Sequence, residues 1–389
     1  MAGLRSELLS GINGESAYSV ATSGLGKDTV NVEDDFGQDQ HRPVHTHTDR
    51  KWQCASFGSV GCGAMFGVGT RYAIKLAAPH SPLPSLLPNV LACLVLGLFT
   101  GSEKRIRPRH PTVLTGVTTG FCGACSTYSS FNMELVMFVL GGGNTMEGVA
   151  TAFLTIIISL ACCWCSLSVG FTLAQTWPLP QLLAAGVQEE GGNLDHCSTG
   201  TSLGLKLAVY WTLLSGAAIG ATVYTAGDAT KVHLCTMLVS APLGAWLRYF
   251  LSTRYARSPH RRSIPWHTLL CNAAASALLV GLYELRLNDS CDTVPVETTP
   301  TLVMLGLSSG FCGSLSTMST FVNEVRSFST ARAGQTGRSD SNSPSLAPSA
   351  AAAAGAKRAW TYVLCTLVLC QTLSWAVLLP YGTEERCWW

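Results

Sequence analysis

The chain has 389 residues, a charged fraction of 12%, a formal net charge of +2 and a positive mean hydropathy of +0.28. Soluble domains average about 25% charged residues, so this composition indicates a membrane protein and excludes a string of soluble domains. The small net charge, without a basic patch interleaved with aromatic residues, also argues against nucleic acid as a partner.

Residues 1–51 are polar and lack helical periodicity, which predicts a disordered cytoplasmic tail. The apolar runs that follow are long enough to cross about 30 Å of hydrocarbon at about 1.5 Å per residue. We predict nine membrane spans, at 52–77, 85–101, 112–140, 149–174, 204–226, 233–252, 266–284, 300–327 and 359–380. Residues 328–356, rich in Ser, Ala and Gly, are interpreted as a flexible loop before the last span.

The third and eighth predicted spans contain nearly the same stretch of sequence. Gly120-Phe-Cys-Gly-Ala-Cys-Ser-Thr-Tyr-Ser-Ser-Phe131 recurs 190 residues later as Gly310-Phe-Cys-Gly-Ser-Leu-Ser-Thr-Met-Ser-Thr-Phe321. Such self-similarity indicates a duplicated structural unit. We therefore predict a first four-span unit at 52–174 and a second at 233–380, with the span at 204–226 as a linker between them.

The positions of Lys and Arg predict the orientation of these spans, because cytoplasmic loops carry an excess of basic residues. Basic clusters follow the second and sixth predicted spans: Lys104, Arg105, Arg107 and Arg109, then Arg254, Arg257, Arg261 and Arg262. These clusters place the N-terminus in the cytoplasm and the C-terminus outside. The fold class expected is therefore an all-α polytopic membrane protein, in which a linker helix joins two antiparallel, or inverted, four-helix units.

The repeated stretch also predicts a broken third helix in each unit. Glycine permits tight backbone paths and serine competes for backbone hydrogen bonds, so Gly123 with Ser126, and Gly313 with Ser316, suit such breaks. Two breaks that meet could aim carbonyl groups at one point, where a monovalent cation would fit. Small residues at a plain helix crossing would give the same pattern, and the spacing does not decide between these readings.

Polar residues within the predicted spans are candidate functional residues. Asn89 and Asn272 occupy corresponding positions in the second and seventh spans, where amide donors could replace water around a small anion or could hold helices together. Arg71 and Arg248 lie near the ends of the first and sixth spans. We interpret them as structural anchors whose head groups reach the membrane surface.

Hydroxyl side chains recur every four residues in the last span of each unit, and such a face could form a polar track or a packing seam. They are Thr151, Thr155 and Ser159 in one unit, and Tyr362, Thr366 and Ser374, with Cys370 between them, in the other. Four large side chains follow the breaks: Tyr128, Phe131, Met318 and Phe321. Aromatic edges can face an anion, although core packing is the favoured interpretation.

These residues resemble a known family. The two repeated stretches, Gly-Ala-Trp-Leu-Arg-Tyr at 244–249, and Trp266-His-Thr-Leu-Leu-Cys-Asn272 are similar to the CrcB/Fluc fluoride channels. The arrangement of four, one and four spans resembles their fused eukaryotic form, the fluoride exporters. The resemblance implies a passive fluoride channel and not an enzyme. It also implies that one chain, acting as a monomer in the plasma membrane, exports fluoride and confers fluoride resistance.

The resemblance further implies a central structural Na⁺ bound by backbone carbonyl groups at Gly123, Ser126, Gly313 and Ser316. Two narrow pores would flank this ion, each lined by an asparagine, a pair of aromatic positions and hydroxyl groups. The residues implied to line them are Asn89, Asn272, Tyr128, Phe131, Met318, Phe321, Ser129, Ser319, Thr155, Ser159 and Thr366.

Three other functions are compatible with parts of the sequence. Cys122 and Cys125 form the Cys-x-x-Cys spacing of thiol oxidoreductases, but the second copy has leucine at position 315. Glu134 and Glu324, also repeated 190 residues apart, could serve a proton-coupled transporter. A membrane scaffold without transport is the third, and it gives the repeated polar residues no use.

Tyr128 and Met318 depart from the family pattern, which has phenylalanine at both positions. If each pore takes one residue from each unit, one pore contains Tyr128 with Phe321 and the other contains Met318 with Phe131. Methionine lacks an aromatic edge, so we predict that the first pore carries most of the current. Phe321→Ile should then abolish fluoride efflux from vesicles while Phe131→Ile leaves it largely intact, and the reverse result would refute unequal pores of this kind.

Overall fold

A computed structural model describes residues 47–108, 110–141, 145–176, 229–256, 264–291, 306–330 and 348–379, together with residues 210, 217, 303 and 304. Most of the predicted tail, of the linker span at 204–226 and of the loop at 328–356 lies outside these residues. Helices α1 to α6 are His47–Ala77, Leu86–Gly101, Glu103–Ile106, Pro111–Thr115, Gly123–Cys125 and Tyr128–Gly141. Helices α7 to α12 are Thr145–Thr176, Ala229–Ala256, Trp266–Cys291, Gly313–Leu315, Met318–Thr330 and Pro348–Leu378.

The described part of the chain is an all-helical membrane protein. Four segments are long and apolar enough to cross a membrane: Met146–Thr176, Val232–Ala256, Trp266–Leu285 and Ala352–Leu378. The shorter Leu86–Gly101 is also apolar. These five agree with the second, fourth, sixth, seventh and ninth predicted spans, while the total of nine stays a prediction.

Two predicted boundaries are wrong. Helix α1 begins at His47, so the end of the predicted tail at 1–51 is helical. Helix α12 begins at Pro348, so residues 348–356 of the predicted flexible loop are helical as well. The cause lies in the sequence, because proline is well tolerated in the first helical turn and alanine, which fills 350–354, is the best helix former.

Both helix breaks expected from the repeated stretch are present. In the first, α4 continues through the π-helical segment Gly116–Cys122 into α5, and the backbone then turns extended at Ser126, with φ −83° and ψ 145°. In the second, the π-helical segment Leu307–Cys312 leads into α10, and Ser316 is extended with φ −81° and ψ 155°. Helices α6 and α11 start two residues after these serines.

Helices α1 and α8, which begin the two predicted units, pack against each other in opposite directions. Phe57 near the start of α1 contacts Trp246 near the end of α8, with ring centroids 6.5 Å apart. Tyr72 near the end of α1 contacts His233 near the start of α8, at 5.9 Å. A buried cluster of small and branched residues, including Val60, lies between these helices and α5.

Helices α2 and α7 approach closely and run in the same direction. A side chain at Gly97 would collide with the carbonyl oxygen of Leu167, and one at Gly170 would collide with that of Leu94. Ser166 of α7 donates a hydrogen bond of 2.7 Å to the carbonyl of Val90, which lies one turn before Leu94 on α2. Small residues therefore allow the two backbones to touch, which is the usual way in which helices associate in lipid.

Candidate functional site

The two breaks lie against each other and are joined by hydrogen bonds between serine hydroxyl groups. Ser126 Oγ is 2.9 Å from Ser319 Oγ, and Ser316 Oγ is 2.9 Å from Ser129 Oγ. The backbone N–H groups of Ser319 and Ser129 donate to Ser126 Oγ and Ser316 Oγ, at 3.2 and 3.1 Å. The serine of each break thus satisfies an N–H in the first turn of the other unit's helix, a cap supplied from another segment.

Arg71 and Arg248 cross from one unit to the other in the same way. Arg248 donates to the carbonyl groups of Gly123 at 2.9 Å and Thr119 at 2.6 Å. Arg71 donates to the carbonyl groups of Gly313 at 3.1 Å and Ser309. Arg71 also donates to the carbonyl of Ala124 at 2.8 Å.

The surface-anchor interpretation of these arginines is wrong. Both side chains are only 3% exposed, and their guanidinium groups lie against the broken helices instead of at the ends of α1 and α8. A guanidinium has five N–H donors in a planar fork, so one side chain can bind several carbonyl groups that a broken helix leaves without partners.

The guanidinium groups also explain the glycine of each break. A Cβ atom at Gly123 would collide with the guanidinium of Arg248, and one at Gly313 would collide with that of Arg71. A larger residue at either position would therefore have to push the arginine head group away from its carbonyl partners.

The carbonyl groups at the breaks have the donor chemistry that a hard monovalent cation requires. Among the described residues, no three His, Cys, Asp or Glu side chains gather as a metal site. The carbonyl groups of Gly123 and Gly313 each accept a hydrogen bond from an arginine. Because a carbonyl oxygen has two lone pairs, each can still bind a cation, and these residues fit Na⁺.

Asn89 and Asn272 hold the backbone directly after each break. Thr127 N–H donates to Asn89 Oδ1 at 2.8 Å, and Asn89 Nδ2 donates back to the carbonyl of Thr127 at 3.3 Å. Asn272 makes the same two contacts with Thr317, at 2.8 and 3.3 Å. Both side chains are fully buried. A side-chain amide has two N–H donors, so each asparagine keeps one for another partner.

The aromatic residues after the breaks come together across the two units. The Tyr128 ring is 5.5 Å from Phe321 and 5.6 Å from Phe131, both edge to face. Phe321 lies 5.2 Å from Tyr362 of α12. Met318 belongs to the same buried cluster, and all five side chains are fully buried.

The predicted hydroxyl faces of α7 and α12 point into the protein. Thr155, Ser159, Tyr362, Thr366 and Ser374 are all buried. Thr155 and Thr366 donate to the carbonyl groups one turn earlier, Thr151 and Tyr362, each at 2.8 Å. Hydroxyl groups rotate readily, so these bonds to the same helix can be exchanged for another acceptor.

Sequence reasoning missed a polar cluster beside Ser374. Asn132 Nδ2 donates to Ser374 Oγ at 2.8 Å, and Gln371 Nε2 donates to Asn132 Oδ1 at 3.0 Å. The repeat offered a signal, because the position 190 residues after Asn132 is the apolar Val322. This difference between the two copies shows that the site is not symmetric.

The repeated glutamates connect the broken helix to its neighbours. Glu134 accepts hydrogen bonds from Ser85 N–H and Ser85 Oγ, both at 2.8 Å. Glu324 accepts from Thr268 Oγ1 and from the Tyr362 hydroxyl, both at 2.7 Å. Of the two glutamates, only Glu324 therefore contacts Tyr362 of α12.

The burial of Cys122 and Cys125 argues against a thiol oxidoreductase. Both thiols have 0% exposure and are unpaired. A redox-active cysteine has to meet its substrate, and such cysteines lie in partly exposed, electropositive surroundings. Both cysteines are instead part of the buried cluster around the first break.

The comparison with protein families identifies the family. The family model described as "CrcB-like protein, Camphor Resistance (CrcB)" matches the chain twice, over residues 59–167 and 235–378. The two matches together cover about two-thirds of the chain, and each includes one break. The chain belongs to the CrcB-like family.

Named relatives of this CrcB-like chain include single-unit and longer proteins. A fluoride-specific ion channel, FluC, of Ruminiclostridium cellulolyticum is 31% identical over 123 residues, which are 30% of this chain and 91% of that protein. Fluoride export protein 1 of Saccharomyces cerevisiae is 24% identical over 315 residues, which are 67% of this chain and 82% of that protein. No solved structure matches the chain.

The arginine contacts predict that lysine cannot replace Arg248. Arg248→Lys removes the planar fork and leaves carbonyl groups at Gly123 or Thr119 unsatisfied, at a cost of about 2 kcal/mol for a lost charge-assisted bond. The detergent-solubilised variant should melt at a lower temperature and should give less ion flux. Arg254→Lys is the control, because Arg254 lies on the same helix but is exposed. Equal melting of the two variants would contradict the role assigned to Arg248.

Proposed function

We propose that this protein is a passive, fluoride-selective channel that lets fluoride leave the cytoplasm. The observation that carries the proposal is the double match to the CrcB-like family, whose two copies meet at the paired breaks. Bacterial relatives are named fluoride-specific ion channels, and yeast relatives are named fluoride export proteins. A single chain that contains both units would act as a monomer, and export would place it in the plasma membrane.

The chemistry of the site suits a small, strongly hydrated anion. Such an ion must receive strong hydrogen bonds in place of water, and Asn89 and Asn272 each keep one N–H for it. The edges of buried aromatic rings add partial positive charge. Export needs no coupled movement of another ion and no chemical energy source, because a negative-inside potential drives an anion outward by about 2.3 kcal/mol per 100 mV.

We propose an inverted arrangement of two four-span units, with nine spans, a cytoplasmic N-terminus and an outer C-terminus. The opposite directions of α1 and α8 support it, since these helices begin the two units. The reciprocal contacts of Arg71 and Arg248 also support it, because each arginine binds the broken helix of the other unit. A two-fold relation between the units gives such exchanges naturally.

The pores proposed to flank the breaks are unequal in polarity. Beside Tyr128 and Phe321, helix α12 presents Tyr362, Thr366 and Ser374. Helix α7 carries Thr155 and Ser159, and two turns after Ser159 its buried residue is Leu167. Asn132 extends the polar lining near Ser374. These differences support the Tyr128/Phe321 pore as the main conducting route, with Ser129 and Ser319 at the junction of the two pores.

We propose that the carbonyl groups of Gly123, Ser126, Gly313 and Ser316 would hold Na⁺. The ion would supply a fixed positive charge that ties the two breaks together. The chain's own residues do the rest, since the arginines and serines already hold the broken ends in contact. Na⁺ would therefore have a structural role and would take no part in moving the anion.

Fluoride efflux from vesicles tests the proposed function directly. Purified protein in liposomes, with valinomycin carrying potassium to balance charge, should release fluoride rapidly to a fluoride electrode while chloride measured in parallel is retained. Efflux should follow the voltage and the fluoride gradient alone. If efflux instead requires an imposed pH gradient, the proposal of a channel is wrong and a proton-coupled transporter takes its place. Glu134 and Glu324 would then be the first residues to test.

Removal of sodium tests the proposed cation separately. Protein purified and kept with N-methyl-D-glucamine in place of Na⁺ should melt at a lower temperature than protein in Na⁺, because the two breaks lose a shared ligand. Adding Na⁺ back should restore the melting temperature. Identical melting under both conditions would remove Na⁺ from the proposal and leave the channel function standing.

A further inference from the structure

An apolar cavity of about 310 Å³ lies between helices α7, α11 and α12. Nine of its ten lining residues are aliphatic or aromatic, and Ser329 supplies the only hydroxyl. Trp164 of α7 and Trp360 of α12 border it and are 37% and 65% exposed. An apolar cavity is a poor site for water, and in a membrane protein this exposed rim faces lipid.

The cavity extends from the end of the membrane span to the candidate site. Ser329 at the end of α11 and Ala356, about two turns into α12, line its shallow end, and Phe321 and Val363 line it two turns deeper. Phe321 is the residue whose ring lies 5.5 Å from Tyr128. A molecule in this cavity therefore touches the outer face of a proposed pore residue without entering the pore.

Two basic side chains stand at the shallow end of the cavity. Residues 360–378 of α12 are mostly apolar, carry no charged side chain and, at about 1.5 Å per residue, cross roughly the whole 30 Å hydrocarbon layer. Lys357 and Arg358 then lie at the level of the lipid headgroups, and both are exposed. Their neighbours Ala356 and Ala359 line the cavity, so positive charge and apolar space are continuous.

We propose that this cavity binds an anionic phospholipid. Its phosphate would lie against Lys357 and Arg358, and one acyl chain would fill the cavity down to Phe321. Charge complementarity selects the anionic headgroup, at about 1 kcal/mol for each basic residue near the membrane surface. The apolar lining selects hydrocarbon over water.

A bound acyl chain has a consequence for the site. It would pack beside Phe321, which borders the cavity and whose ring centroid lies 5.5 Å from that of Tyr128. The lipid site itself stands independently of the proposed channel function, whereas any effect of lipid on fluoride flux rests on that function.

Tryptophan fluorescence in vesicles tests lipid binding without measuring transport. The full-length protein is reconstituted into neutral phosphatidylcholine that contains a small proportion of phosphatidylglycerol with brominated acyl chains, which quench nearby tryptophan. Quenching should exceed that given by the same proportion of brominated phosphatidylcholine. Trp360→Phe should remove much of this excess, because Trp360 borders the cavity.

Matched charge variants separate the proposed headgroup site from general membrane charge. The double variant Lys357→Gln with Arg358→Gln should lower the affinity for the anionic lipid about thirty-fold, because it loses two charges worth about 1 kcal/mol each. The excess quenching should fall accordingly. Lys104→Gln with Arg105→Gln removes the same charge from another exposed site and should leave the excess unchanged. Equal loss in both double variants would reduce the effect to membrane charge and overturn the site.

A cavity variant tests the acyl-chain part. Ala356→Phe fills the shallow end from an exposed position, so it should fold normally, as checked by gel filtration, and should reduce the excess quenching. Unchanged quenching in this variant would show that the chain lies elsewhere. Wild-type quenching that only matches the bulk lipid fraction would overturn the whole proposal, whatever the result of the fluoride efflux assay.

Discussion

The backbone of two broken helices must find hydrogen-bond partners inside a membrane, and the rest of this structure depends on how it does so. Ending a helix leaves its last carbonyl groups without partners, and hydrocarbon supplies none. Here the carbonyl of Cys122 accepts from Ser126 and Ser319, that of Gly123 from Arg248, and that of Ala124 from Arg71. Two of these four donors, Ser319 and Arg248, come from the other unit, so the two breaks depend on each other.

This mutual dependence explains why the site has its particular residues. Glycine at the break makes room for the guanidinium, the asparagine holds the chain that leaves the break, and the serine caps the neighbouring helix. Once these contacts are made, the residues two and five positions after each serine are brought together between the two units. The buried group of Tyr128, Phe321 and Tyr362 is a result of that geometry.

Duplication within one chain allows the two halves of the site to diverge. Tyr128 corresponds to Met318 and Asn132 to Val322, although the breaks themselves keep glycine and serine in both copies. The constraint of satisfying the backbone acts equally on both breaks, whereas the residues that follow the breaks are free of it. The lateral cavity is likewise present on the side of Phe321, where α11 and α12 separate from α7.

The membrane character and the five apolar helices that the structure also has could be predicted from the sequence alone, because apolar length is a local property. The sequence also favoured the two helix breaks through glycine and serine within an apolar run, but it left a plain helix crossing open as an alternative. It also determined that Asn89 and Asn272, like the glutamates, are equivalent, because a repeat places them at matching positions. The alanine run that follows Pro348 could have predicted the start of α12, but the surrounding Ser- and Gly-rich composition obscured this signal.

The hydrogen-bond partners of these residues depend on the tertiary fold. Arg71 lies 242 residues from Gly313 in sequence, and Ser126 lies 193 residues from Ser319, and no local pattern specifies contacts at that distance. Arginine near a span end is compatible both with the membrane surface and with the interior, and only the packing of α1 against α8 directs it inward. The pairing of Asn132 with Ser374 depends in the same way on α6 meeting α12, because the contact arises from the fold and not from either sequence segment.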